Sequence, residues 1–195
     1  MTVFQYLHRV DQDITLFVNS LGNGFTDPFF QFFSAKEIWF PLYALIAVCL
    51  VWRLGWKKGL LAVAACALTV TFCDQLGNFI KDSVQRLRPC WDQRMLEAGL
   101  RLGEDKGGLY GFYSAHAANA MGFTLCSSIC LKWDSRHKYK FYGIVMTIWA
   151  LIVGISRVFV GKHFFGDVLV GFIVGSMIAV LVCRASAFAI RKLDL

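Results

Sequence analysis

The sequence predicts an all-α protein, a polytopic membrane bundle of five to six transmembrane helices preceded by an amphipathic N-terminal helix. Three observations predict it. Of the 195 residues, 57% are hydrophobic, and the mean hydropathy is +0.54. Only 17% are charged, against about a quarter in ordinary soluble domains. The apolar residues also fall in runs close to the ~20 residues that a helix needs to cross a bilayer. At this length one domain, residues 1–195, is the default.

The N-terminal segment "MTVFQYLHRVDQDITLFVNSL" has no basic start before an apolar run and carries Asp11 and Asp13, so it does not read as a signal peptide. Phe4, Leu7, Val10, Ile14, Phe17 or Val18, and Leu21 recur every three or four residues, which predicts an amphipathic helix on the membrane surface or on the bundle. Gly22, Gly24 and Pro28 break it, and "DPFFQFFSAKE" predicts a short second helix, so residues 1–35 form an interfacial unit. Five spans follow: Ile38 to Trp52, Gly59 to Ile80, Ala117 to Trp133, Phe141 to Val160, and Phe164 to Cys183, the last with room to continue to Ile190.

The net charge is +7. In a soluble chain it would suggest nucleic acid. Beside membrane spans, basic residues mark the cytoplasmic side and anionic headgroups, so the expected partner is the bilayer and not nucleic acid. Six of the seven cysteines lie in or at the ends of spans, where Cys is a small hydrophobe. Only Cys90 sits in a long loop, and it is expected to be open to a labelling reagent. With no CxxC pair, neither a disulfide framework nor a zinc site is expected.

Alternating the spans across the membrane brings the unusual polar residues to one face. Lys81 and Arg88 close the second span, Ser114 and His116 open the third, Ser156 and Arg157 close the fourth, and His163 and Asp167 open the fifth. Each has a plainer reading when taken alone. The cations could be snorkelling side chains, Ser114 a helix cap and either histidine a structural one. Asp167 is harder to dismiss, because a carboxylate in a span costs roughly 2.5–3.5 kcal/mol unless paired or functional. Asp74 and Asn78 in the second span either hold neighbouring helices or support the site.

The spacings favour a site. Lys81 and Arg88 lie two helical turns apart, and Pro89 ends that helix. Asp167 follows His163 by one turn and could fix which imidazole nitrogen stays bare. The backbone N–H groups of Ser114, Ala115 and His116 open a helix and suit an anion. Three cations, a helix N-terminus and two histidines together suit phosphate.

These residues resemble the type 2 phosphatidic acid phosphatases, the lipid phosphate phosphatase family, whose motifs are K-x6-RP, PSGH and SR-x5-H-x3-D. "KDSVQRLRP" (Lys81 to Pro89) and "SRVFVGKHFFGD" (Ser156 to Asp167) match at every defined position. The second motif appears as "YSAH", with Tyr113 for proline and Ala115 for glycine. The resemblance implies that His163 is the nucleophile and forms a phosphohistidine, with Asp167 orienting it. His116 would protonate the leaving oxygen and then activate water. Lys81, Arg88, Ser114, Ala115 and Arg157 would hold the phosphoryl oxygens. The chain lacks a carboxylate cluster of the kind Mg²⁺ needs, so no metal and no cofactor is expected.

Arg53, Lys57, Lys58, Lys132, Arg136, Lys138 and Lys140 crowd two short loops on the face opposite the motifs. This places the motifs outside the cytoplasm, on the periplasmic side of an inner membrane in a Gram-negative bacterium. The loop from Pro89 to Phe112 is the longest near the site, and Trp91, Arg94 and Arg101 are its candidates for a lid or headgroup pocket. The substrate is expected to be a lipid phosphate: undecaprenyl diphosphate, phosphatidylglycerol phosphate, phosphatidic acid or a lipid A phosphate. The rival classes are a transporter, which would place polar groups near the midplane, and a structural membrane protein. Gly171 and Gly175 form a GxxxG pair that fits helix packing within one bundle and leaves the oligomeric state open.

Overall fold

In the computed structural model, which describes residues 2–192, the chain forms eight α-helices and no β-strand among the described residues. They are α1 (Val3–Ser20), α2 (Thr26–Ser34), α3 (Phe40–Leu54), α4 (Trp56–Val84), α5 (Gln93–Glu97), α6 (Ala115–Leu131), α7 (Lys140–Phe159) and α8 (Phe165–Lys192).

The helix α1 starts at a capping box. The Gln5 N–H donates to Thr2 Oγ1 at 3.2 Å and the Thr2 N–H donates to Gln5 Oε1 at 2.8 Å. Its amphipathic pattern is as predicted, but the polar side faces the protein. Gln12, Thr15 and Asn19 are buried, whereas Phe4, Leu7, Phe17 and Leu21 are exposed. Burial of that polar face requires partners, and they come from far along the chain. The Asn19 amide donates to the carbonyls of Arg101 (3.0 Å) and Phe159 (2.8 Å). The Phe165 N–H donates to Thr15 Oγ1 (3.0 Å) and the Gly166 N–H to Asp11 Oδ1 (2.7 Å). A carboxylate at that position complements the positive end of α8.

Lys36–Leu54, α4, α7 and α8 are long and apolar enough to cross a membrane. The third expected span, α6, is a 17-residue helix, about 25 Å long at 1.5 Å per residue, and falls short of that length. It lies at the centre of the bundle, packed by α4, α7 and α8. Sheathed in this way, it carries small residues such as Ala117, Ala118, Ala120 and Gly122 instead of lipid-facing bulk. The GxxxG pair serves this packing. A Cβ at Gly171 would lie 2.6 Å from the Ser114 carbonyl oxygen, and one at Gly175 would lie 2.2 Å from that of Ala118. The two glycines therefore let the backbones of α8 and α6 touch.

Two expectations change. The helix of the second span ends at Val84, short of the expected stop at Pro89. Cys90 is fully buried, and its thiol faces the Lys106 carbonyl at 3.3 Å, so it is closed to reagents. Although no CxxC pair exists, the ligand atoms of Cys126, Cys130 and Cys183 lie within 4.8 Å of one another in the core. All seven thiols are free.

Candidate active site

The ends of α4, α6 and α7 and the turn before α8 enclose a cavity of about 400 Å³. Lys81, Arg88, Ala115, His116, Arg157 and His163 line it. Six of the eight residues singled out from the sequence thus meet at one space. The other two stand behind its wall. Ser114 is fully buried and its hydroxyl accepts from the Ala117 N–H at 3.4 Å, so its geometry is that of the N-cap of α6. Asp167 is also fully buried, beneath His163.

Lys81 and Arg88 reach the cavity by a route the sequence did not predict. The helix ends at Val84, before the proline, because Gln85 adopts φ +53° and its N–H closes on the Lys81 carbonyl at 3.0 Å. Arg88 is extended and held by a bridge between Leu87 and Tyr110, its N–H donating to the Leu109 carbonyl at 3.0 Å. The side-chain Nε of Arg88 donates to the Tyr110 carbonyl at 3.0 Å, which aims the guanidinium.

His163 lies in the turn between α7 and α8, with its N–H bonded to the Arg157 carbonyl at 3.2 Å. Its Nδ1 is 3.5 Å from Asp167 Oδ2, longer than a formed hydrogen bond, as is common in unliganded catalytic sites. This leaves Nε2 for the cavity. Burial holds the imidazole well below its ordinary pKa, and the charges of Arg157, Arg88 and Lys81 add to that effect. Both causes keep the ring neutral, as a nucleophile requires.

Sequence reasoning passed over Arg86, which lies among the unspecified positions of the first motif. Its NH1 donates to Asp167 Oδ1 at 2.6 Å and its NH2 to Asp11 Oδ2 at 2.6 Å. The guanidinium also lies 4.1 Å from the centre of the Phe164 ring. One arginine thus ties α1 to the carboxylate behind His163. The one available signal was an arginine of fixed spacing from Lys81, which the motif's spacing rule leaves free.

The long loop also differs from expectation. Trp91, Arg94 and Arg101 turn away from the cavity. Trp91 donates to the Gly107 carbonyl at 3.4 Å, Arg94 pairs with Asp13 at 2.8 Å, and Arg101 pairs with Asp27 at 2.5 Å. Glu104 is the loop residue that reaches the site, lying 3.4 Å from Arg157 NH1. Ser34 at the end of α2 binds the same NH1 through its hydroxyl and, at 3.3 Å, through its carbonyl. Arg157 Nε is buried without a protein partner, leaving a donor for an anionic oxygen. Asp74 also lines the cavity, where one of its oxygens accepts from Asn119 Nδ2 at 2.8 Å.

The sequence model of the PAP2 superfamily matches residues 58–191. The chain belongs to that superfamily. It is 34% identical over 175 residues to a lipid A 4'-phosphatase of Bacteroides thetaiotaomicron, covering 89% of this chain and 75% of that protein. A lipid A 4'-phosphatase of Porphyromonas gingivalis is 29% identical over 188 residues, covering 95% and 76%. The crystal structure of a transmembrane PAP2-type phosphatidylglycerolphosphate phosphatase from Bacillus subtilis superposes with a TM-score of 0.72 at 23% identity, over 91% of this chain and 84% of that one. The helical membrane architecture of this PAP2 protein is therefore one already seen in a membrane phosphatase.

Proposed function

We propose that this PAP2 protein hydrolyses the phosphoric ester of a membrane lipid at the cavity between α4, α6, α7 and α8. The observation that carries the reading is the convergence of His163, His116, Lys81, Arg88 and Arg157 on one space at the helix ends. In this reading His163 Nε2 attacks phosphorus. The P–N bond forms as the P–O bond to the lipid breaks, and the leaving oxygen takes a proton from His116. Asp167 stabilises the charge that develops on the His163 ring. His116, now neutral, takes a proton from water, whose oxygen attacks phosphorus and breaks the P–N bond to release phosphate. Lys81, Arg88, Arg157 Nε and the N–H groups of Ala115 and His116, which lack intrahelical partners, bind the equatorial oxygens where charge spreads in phosphoryl transfer. No step calls on a metal.

Among the candidate lipids, a lipid A phosphate is favoured by the two lipid A 4'-phosphatase relatives. The basic loops opposite the site favour an extracytoplasmic site, periplasmic if the source is a Gram-negative bacterium. The test is phosphate release by purified protein from a panel of lipid phosphates, with His163→Ala alongside. Release by wild type and none by the variant supports the reading, and equal release by both removes the nucleophile. For orientation, a cysteine introduced at exposed Ala98 should react with an impermeant reagent in intact cells and one at exposed Lys138 should not; the reverse pattern overturns the orientation.

A further inference from the structure

We infer that Asp74 and Asn119 form an acceptor subsite that reads hydroxyl or N–H donors on the leaving group, so that the chain selects phosphates carried on a sugar or glycerol over phosphates carried on a bare diacylglycerol. This inference rests on the phosphatase reading above and adds the substrate class.

Both residues line the same cavity as the histidines. His116, proposed to protonate the leaving oxygen, and Asn119 are one turn apart on α6, so Asn119 lies about 4.5 Å further along the helix axis. Asp74 lies two turns before Lys81 on α4, about 10 Å along that axis. The cavity is therefore graded, with cations at the end that grips phosphoryl oxygens and acceptors at the other end. Whatever atoms follow the leaving oxygen pass beside the bonded Asn119–Asp74 pair.

One of these acceptors lacks a donor. The Asn119 amide gives its N–H to Asp74 at 2.8 Å, which leaves Asn119 Oδ1 buried with no partner. A buried acceptor left unsatisfied costs about 1–3 kcal/mol. The pair could only pin α4 to α6, as polar pairs do in membranes. Pinning, however, explains neither the orphaned oxygen nor a carboxylate in the wall of an anion-binding cavity, where it opposes the phosphate unless donors lie between them. A ligand hydroxyl or amide N–H beside the ester supplies those donors. Tyr43 and Trp39 line the same cavity and offer aromatic surface to the carbon skeleton of such a ligand. A site built to bond a donor discriminates against the analogue that lacks it, because its own polar groups are then left unpaired.

The experiment compares kcat/KM of the purified chain in detergent micelles on three lipids. A phosphorylated glucosamine lipid and phosphatidylglycerol phosphate carry donors next to the ester; phosphatidic acid carries none. Wild type should prefer at least one donor-bearing lipid to phosphatidic acid by tenfold or more. Asn119→Ala and the near-isosteric Asp74→Asn should each reduce that ratio at least fivefold, mainly through KM. Thermal unfolding of each variant accompanies the kinetics, and Asp74→Asn keeps the side-chain volume. Wild type without the preference overturns the inference. Variants that lower all three activities in equal proportion overturn it in favour of a pin between helices. Wild type that releases phosphate from none of the three, nor from any other lipid phosphate, overturns the phosphatase reading itself.

Discussion

Arg86→Ala would sever the connection between α1 and the carboxylate behind His163. Arg86 makes two 2.6 Å contacts, to Asp167 and to Asp11, and the Asp167 side chain has no solvent exposure. Removing one partner of a buried pair strands the other charge at a cost of roughly 3–5 kcal/mol. Loss of the stacking on Phe164 adds about 0.5–2 kcal/mol. Part of the larger cost is avoided if Asp167 takes up a proton, but a neutral Asp167 no longer stabilises the imidazolium that forms during phosphoryl transfer. A charge-assisted hydrogen bond is worth about 1.5–3 kcal/mol, which at ~1.4 kcal/mol per decade corresponds to a roughly 10- to 150-fold fall in kcat. The assay is phosphate release against pH, together with thermal unfolding in the same detergent. Arg86→Lys keeps the charge but offers no planar fork for two carboxylates, so it should recover stability better than rate. A folded Arg86→Ala protein with kcat within twofold of wild type would refute the coupling.

Other outcomes follow from the same geometry. His116→Ala should lower kcat by at least 10²-fold while leaving the fold intact, since general acid–base catalysis is commonly worth 10²–10⁴; turnover near wild type would remove its role. Burial and the neighbouring cations depress the pKa of His163, so below pH 6.5 the unfolded chain binds a proton that the folded chain refuses. Stability that is complete above pH 6.5 is then lost as pH falls, with a slope of up to ~1.4 kcal/mol per pH unit; thermal unfolding of His163→Gln should show a shallower acid decline than wild type. Gly175→Leu forces a side chain into a backbone contact where even a Cβ would be 2.2 Å from the Ala118 carbonyl oxygen, so it should lower the unfolding midpoint by the equivalent of 1–3 kcal/mol or more. A chelator should leave turnover unchanged, and its loss would refute the metal-free scheme.

What the sequence made legible was periodic or local. Runs of apolar residues gave the long helices, and polar residues at their ends gave the cavity, because in a membrane chain an ionisable group is conspicuous. What escaped was set by contacts between distant segments. The polar stripe of α1 reads as a solvent face until Asp11, Thr15 and Asn19 are seen meeting Gly166, Phe165 and Arg101. Arg86 and Glu104 carry no local pattern, since each has its partner on another element. The centre of the bundle is likewise hidden from hydropathy. A helix wrapped by its neighbours, as α6 is, has no need of the bulky apolar residues that mark a lipid-facing span.

The docking of α1 on the start of α8 also bears on how the protein is made. The helix α1 holds, through Asp11 and Thr15, a turn that leaves the ribosome some 150 residues later, as the Asp11–Gly166 bond shows. At ~5–20 residues per second that is a wait of roughly eight to thirty seconds, whereas Arg86 and Arg101, which also bond the polar side of α1, emerge earlier. The turn that carries His163 can be clamped by α1 only once Phe165 and Gly166, at the start of α8, have emerged.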